Sequence, residues 1–254
     1  MALVKDQEGT LIHYPSKPDF FDFDSSVAEV FDSMAARSIP MYAEAHRLHA
    51  YMTRRFIQAQ EKHKKPLRVL DVGASTGGFF EALHREMWIP PAQTIPGLEL
   101  YAIDTSAPML EKIAEKLPIV KRYEMDVLEL GTLDVRFDII NVSYVLQFLQ
   151  PDKAVTAVHE MARSCNPGAL LLISHKEKIV SGFSDLFQER YIEFRKENGY
   201  SDKEIEAKTR ALKNSMFPQN NAIIEQILES AGFSQVQETS RWLQFCSMAA
   251  IRNS

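Results

Sequence analysis

Three aspartates at the ends of apolar runs, and one glycine-rich turn, carry the chemistry that this sequence can do. The run Leu67-Arg68-Val69-Leu70-Asp71-Val72 breaks into Gly73-Ala74-Ser75-Thr76-Gly77-Gly78, and Phe79-Phe80-Glu81-Ala82-Leu83-His84 then reads as a helix. Glycine there lets the backbone take conformations closed to other residues and approach a ligand closely. The helix start behind the turn offers free N–H groups and a partial positive charge, a place for a carboxylate or phosphate. A second run, Leu98-Glu99-Leu100-Tyr101-Ala102-Ile103, ends in Asp104, an acceptor placed for the hydroxyls of a ribose. Asp126 follows a third run, Tyr123-Glu124-Met125.

Competing readings of the turn separate on single residues. A dinucleotide fingerprint needs G-x-G-x-x-G, and Ser75 stands where the second glycine belongs. A P-loop needs Gly-Lys-Ser/Thr, and the turn has none. Gly73-Ala74-Ser75-Thr76-Gly77 does match G-x-S-x-G, the nucleophile elbow of the α/β-hydrolases. A serine esterase using Ser75 would also need a His-Gly-Gly type loop before residue 67 and a late histidine. The first is missing and no histidine follows His175. The better match is a resemblance to the class I methyltransferases, which have a Gly-rich first turn, an acid after the second strand and an Asp after the third. That resemblance implies S-adenosyl-L-methionine as cofactor.

The elements that must position these residues follow from periodicity. Asp24 or Ser25 can cap a helix with Val27, Val30, Phe31 and Met34 at helical spacing, and Pro40 ends it. A second helix runs from about Met41 to Gln60. Strands are expected over 67–72, 98–103, 119–124, 137–143 and 169–174, with helices between them. Ser106 caps the helix carrying Met109, a side chain that could pack on an adenine. Polar helices fill 181–216, with Phe183, Leu186, Phe187, Tyr191 and Phe194 on one face; Gly199 breaks them and Ser201 restarts them. Another helix covers 219–231, and Val236–Thr239 with Trp242–Ile251 form a closing strand pair. Alternating strands and helices imply an α/β Rossmann-like fold, a doubly wound, mostly parallel seven-stranded sheet with an antiparallel last strand. Ligands of such sheets bind beyond the strands' carboxyl ends, where Asp71 to Ser75, Asp104, Asp126 and Ser143 lie. The expected organisation is an arm and helical cap over 1–66, a core over 67–180, a helical insertion over 181–218, and the final helix and strand pair over 219–254.

Composition narrows the remaining classes. The chain has 254 residues, 45% hydrophobic and 25% charged, with a formal net charge of −5. That charge argues against a whole-surface grip on nucleic acid. Cys165 and Cys246 have no metal spacing and read as buried thiols; no metal is expected. No signal-peptide core or spanning run is present, so the expectation is a cytoplasmic protein without a membrane partner. The basic stretch 61–65 reads as a solvated linker.

Several further stretches resemble the carboxy-S-adenosylmethionine synthase family, a branch of the class I methyltransferases. They are Phe23-Asp24 with Val27-Ala28-Glu29-Val30-Phe31, Arg37-Ser38-Ile39-Pro40-Met41-Tyr42, Leu146-Gln147-Phe148-Leu149, Asn198-Gly199-Tyr200-Ser201, and Ala231-Gly232-Phe233 with the stretch Trp242 to Ile251. The family makes carboxy-adenosylmethionine from adenosylmethionine and prephenate, for a tRNA wobble uridine. The resemblance implies cofactor contacts from Tyr42, Gly73, Ala74, Ser75, Asp104, Thr105, Asp126 and Val127, and a homodimer. Asp104 would hold the ribose, Asp126 and Val127 the adenine edge, and Tyr42 would face the sulfonium end.

Two positions depart from the family. An Asn at the end of its fourth strand aligns with Ser143. Its Arg that grips the added carboxylate aligns with Thr209, with Arg210 one place later. One residue rotates a helical position by about 100°, and Thr cannot replace a charge-assisted Arg–carboxylate pair. The expected reaction is therefore methyl transfer from ordinary S-adenosylmethionine to a small molecule or a nucleic-acid base. His175 is the expected general base, with Tyr144 and His46 behind it. Carboxy-adenosylmethionine synthesis, the serine esterase and a non-catalytic adenosylmethionine-binding module are the alternatives.

Overall fold

In the computed structural model the described residues are 3–5, 11–13, 23–60 and 66–253, the first two stretches as backbone only. Those two are short strands, β1 (Leu3–Lys5) and β2 (Leu11–His13), paired antiparallel. The rest of the expected N-terminal arm and the basic linker lie outside the described residues.

The central sheet has seven strands: β3 (Leu67–Val72), β4 (Leu98–Asp104), β5 (Lys121–Glu124), β6 (Phe137–Ser143), β7 (Cys165–Lys176), β8 (Phe233–Trp242) and β9 (Phe245–Arg252). Their spatial order is β5-β4-β3-β6-β7-β9-β8. Strands β3 to β7 run parallel, and β9 is antiparallel to both its neighbours. The order reverses between β3 and β6, the switch point at which such sheets place ligands. Strand β7 starts before its apolar run, at Cys165, with Asn166-Pro167-Gly168 bulging between two registers and Gly168 at φ of 79°, and Trp242 closes β8 instead of opening β9.

Period-two alternation gives the sheet two apolar faces. Leu70, Val72, Ile140 and Leu171 face one side, packed with Val158 and Met161 of α5 (Pro151–Ser164) and Ile224 and Leu228 of α8 (Asn221–Ser230). Val69, Leu100, Ala102 and Ile139 face the other side. There they meet Ala50 of α2 (Tyr42–Ala59), Phe79, Phe80 and Leu83 of α3 (Gly78–Glu86), and Ile113 of α4 (Ala107–Lys116). Phe79 and Phe80 are fully buried, and each contributes roughly 1.5–3 kcal/mol. They fix the start of α3, and with it the glycine-rich turn.

Three helices roof the strand ends: α1 (Ser25–Ser38), α6 (Ser184–Glu197) and α7 (Asp202–Leu212). Asp24 caps α1, accepting from the N–H groups of Ser26 and Val27 at 3.0 and 3.1 Å. Ser201 and Glu204 close a reciprocal capping box at the start of α7, which aims that helix back over the sheet.

The candidate cofactor cavity

A cavity of about 560 Å³ opens at the carboxyl ends of β3, β4, β5 and β6. Ten sequence-derived candidates line it together: Tyr42, Asp71, Gly73, Ala74, Ser75, Asp104, Thr105, Asp126, Val127 and Ser143. The carboxylates of 104 and 126 therefore share one space. Asp104 ties two turns together, accepting the Ser75 N–H on Oδ2 and the Ser106 N–H on Oδ1, both at 2.9 Å. Burial pushes its carboxyl above the usual range, against the pull of those backbone donors. Asp126 caps the short 3-10 turn Val127–Thr132 through the Leu128 N–H at 2.9 Å.

The turn itself uses left-handed backbone at Gly73, Ser75 and Gly77, with φ of 62°, 48° and 90°. A Cβ on Gly73 would collide with Val145 Cγ2 on the cavity wall. Glycine is thus required there by conformation and by space.

Two candidates are not brought to the cavity. Met109 is fully buried in a cluster with Val27, Ala28, Met34 and Ala211, so it holds α1 and α7 down on α4. His175 is buried on the far face of β7, with Nε2 at 2.8 Å from both Asn221 Oδ1 and Cys246 Sγ. Burial drives its pKa to about 4. Strand alternation is the reason: Ser174 and Lys176 share one face, and Lys176 is the residue of this strand that reaches the cavity.

Of the weaker base candidates, Tyr144 and His46 both line the cavity. Burial raises the Tyr144 hydroxyl and lowers His46 to about 3. Both ring nitrogens of His46 are unpartnered, so no Ser75–His pair exists among the described residues. An esterase built on the G-x-S-x-G match has no histidine paired with its serine among the described residues.

Sequence reasoning missed the cations. Lys176 and Lys208 line the cavity, and neither forms an ion pair among the described residues. The Lys176 ammonium sits 4.7 Å from the Tyr191 ring centroid, and Lys208 Nζ donates to Tyr200 Oη at 2.6 Å. Burial lowers Lys176 to about 8 and Lys208 to about 7, with nearby Arg195 adding to both shifts. Their signal was a lysine just past an apolar strand and a lysine on the inner stripe of an amphipathic helix. The neighbouring Thr209 donates its hydroxyl to its own helix, to Ile205 O at 2.6 Å, and Arg210 pairs outward with Glu206 at 2.8 Å.

The polar line behind Asp71 was also unread. Asn141 Nδ2 donates to Asp71 Oδ1 at 2.6 Å, and Asn141 Oδ1 lies 2.7 Å from His49 Nδ1. His49 Nε2 is 3.4 Å from Ser174 Oγ, which meets Ser247 Oγ at 2.8 Å. Desolvation raises Asp71 to about 8 despite the Asn141 donor. No metal cluster occurs among the described residues, and none of their helices is long and apolar enough to cross a membrane.

The sheet order and the antiparallel last strand, with the cavity at the strand ends, are those of the class I methyltransferase fold. Residues 70–171 match a methyltransferase domain family. The magnesium protoporphyrin IX methyltransferase of Synechocystis, solved with S-adenosylhomocysteine bound, superposes with a TM-score of 0.58 at 17% identity, covering 91% of this chain and 96% of that one. The carboxy-S-adenosyl-L-methionine synthase of Trichodesmium erythraeum is 32% identical over 93% of this chain and 90% of its own length. Its namesake in Helicobacter pylori strain G27 is 36% identical over 91% and 93%. The chain belongs to the carboxy-S-adenosyl-L-methionine synthase family.

Proposed function

We propose that the chain binds S-adenosylmethionine in the strand-end cavity and transfers its methyl group to a small molecule admitted to the same cavity. The residues fit this cofactor. Asp104 offers acceptors for the ribose, Asp126 and Val127 flank the adenine position, and Gly73 leaves the backbone room to approach. When bound, the cofactor supplies a methyl group already activated by its sulfonium. The chain's own part is alignment and exclusion of water, by the roof of α1, α6 and α7. A hydroxyl or acidic-carbon acceptor would hand its proton to Lys176 or Lys208, the cavity groups that burial has brought near neutrality.

The observation that carries methyl transfer is Thr209. Its hydroxyl is spent on Ile205 O, and Arg210 points to Glu206 outside. The position that would grip a carboxylated cofactor has no cation. A second reading, carboxy-S-adenosylmethionine synthesis, follows the names of the relatives. It is favoured by one observation: Lys176 and Lys208 line the cavity from other positions without an ion-pair partner among the described residues, and in their protonated forms they could face a carboxylate.

Weighing the small molecule released from purified protein separates the two. Adenosylmethionine or its demethylated product supports methyl transfer; a carboxylated adduct overturns it for the second reading. If nothing is retained, a thermal shift with added adenosylmethionine decides, because a ligand specific to the folded state raises apparent stability. No shift at saturation overturns both. We also infer a homodimer from the family resemblance, tested by light scattering for mass, and a cytoplasmic location, tested by cell fractionation. The net charge of −5 favours a small-molecule acceptor over a nucleic acid.

A further inference from the structure

Two lysines and two arginines meet over two tyrosine rings at the roof of the cavity. Lys176 Nζ and Arg195 Cζ lie 4.7 and 4.4 Å from the ring centroid of Tyr191. Lys208 Nζ and Arg37 Cζ lie 4.4 and 4.8 Å from the ring centroid of Tyr200. Both rings are pinned at Ser38, the last residue of α1: Tyr191 Oη donates to its carbonyl at 2.9 Å, and Tyr200 Oη lies 2.8 Å from its Oγ. Each lysine therefore shares a ring with an arginine, and of these four cations the lysines are the two that line the cavity.

The arginines have no acid of their own. Arg195 is 5% exposed, its Nε is buried without a partner, and it enters no ion pair among the described residues. Arg37 donates to the Ser33 carbonyl at 3.4 Å and likewise pairs with no acid among the described residues. The carboxylates near the lysines are engaged elsewhere. Glu204 closes the capping box with Ser201, and Glu177 holds Arg241 at 2.5 Å and the Asn221 N–H at 2.9 Å. A guanidinium keeps its proton in a protein, so a buried one without an acid is a standing charge that weakens the fold. Such a local cost, with no structural return, marks a functional place.

The shared rings bound the distances. Two groups each under 5 Å from one centroid are at most about 10 Å apart, and unit charges at that separation alter each other's proton affinity by on the order of one pKa unit. Because arginine does not titrate, the lysine takes the whole effect, as a lowering. Desolvation acts on both lysines in the same sense. Arg195 also faces Lys208, where Glu204 opposes the two arginines.

We infer that Arg195 and Arg37 are positioning residues for proton transfer, each holding its charge against a cavity lysine across a shared tyrosine ring so that the lysine meets the acceptor as a proton-taking amine. This rests on the reading above in which a cavity lysine receives the acceptor's proton.

The test follows the side-chain ¹³Cε signals of Lys176 and Lys208 against pH in the ligand-free full chain, each assigned by its loss in Lys176→Met or Lys208→Met. Arg195→Met should raise the Lys176 midpoint by about one pKa unit and that of Lys208 by less. Arg195→Lys, which keeps the charge, should leave Lys176 within about 0.3 of the parent. Arg37→Met should raise Lys208 and leave Lys176 in place. An arginine with a merely structural part would leave the midpoints alone or disturb both in every variant. Lys176 unmoved in Arg195→Met, or moved as far in Arg195→Lys, overturns the inference. Should Arg195→Met fail to fold, Arg37→Met decides: Lys208 must rise while Lys176 stays, and any other pattern overturns it. The midpoints are read without cofactor, so their failure is told apart from a failure of adenosylmethionine to bind.

Discussion

Replacing Gly73 by alanine exposes how tightly the turn is fitted to the cavity wall. The backbone there has φ of 62°, a conformation that costs an L-residue about 1–2 kcal/mol. The new methyl would also run into Val145 Cγ2, an overlap whose relief costs about 1–3 kcal/mol in a packed interior. Gly73→Ala should therefore lower unfolding stability by roughly 2–5 kcal/mol, read by urea denaturation with the slope checked for two-state behaviour. The two causes separate by a cycle. Adding Val145→Ala removes the colliding methyl, so the double variant should regain about 1–3 kcal/mol relative to the sum of the singles. A control isolates the backbone. Gly97 has φ of 76° and open space where a Cβ would go, so Gly97→Ala should cost only about 1–2 kcal/mol. If Gly73→Ala and Val145→Ala add within about 0.5 kcal/mol, the steric account is refuted.

Asp104→Ala should weaken S-adenosylhomocysteine at least about tenfold by calorimetry and cost about 1–3 kcal/mol of stability, because the Ser75 and Ser106 N–H groups lose their acceptor. His175→Gln should leave cofactor affinity within about twofold yet destabilise by about 1–3 kcal/mol, as expected of a buried hydrogen-bonded side chain outside the cavity. Stability of the ligand-free chain should rise with pH from about 7 toward 10.5 on account of Lys208. Its folded pKa of about 7 lies below the usual 10.5, so the unfolded chain holds more protons across that window, and Lys208→Met should flatten the rise. Asp71 acts with the opposite sign. Its folded pKa of about 8 lies above 3.8, so its contribution to stability falls as pH rises between those values, and Asp71→Asn should remove that fall in pH-dependent melting.

The sheet was legible because buried parallel strands are continuous apolar runs, and β3 and β4 are bounded by Pro66, Gly73, Gly97 and Asp104, which stop them sharply. The Gly73–Gly77 turn and the acids at 104 and 126 could be placed at one edge from topology alone, since parallel strands deliver their ends to the same side. What failed was side-chain direction. His175 and Lys176 are adjacent and both polar, and a one-residue error in strand phase exchanges a core histidine for a cavity lysine. Met109 fits an adenine or a core equally well in one dimension; only the packing of α1 and α7 on α4 chooses the core. Lys208 sits on α7, whose position over the strand ends depends on tertiary packing, so its place on an inner stripe does not by itself bring it to a cavity. Thr209 was readable because helix rotation per residue is fixed, and its departure from the family pattern carries directly into the observed bond to Ile205.

The last strand has an implication for biosynthesis. β9 is threaded between β7 and β8, and Phe245 to Ala250 are buried there while Phe245 also walls the cavity. A ribosome delivers this segment after nearly everything else, and domains tend to fold as whole units during translation. The nascent chain must therefore hold the flank of β7 and the mate of β8 unzipped until Phe245–Arg252 have been made. A chain stopped before Phe245 would lose a structural keystone and one wall of the ligand chamber together.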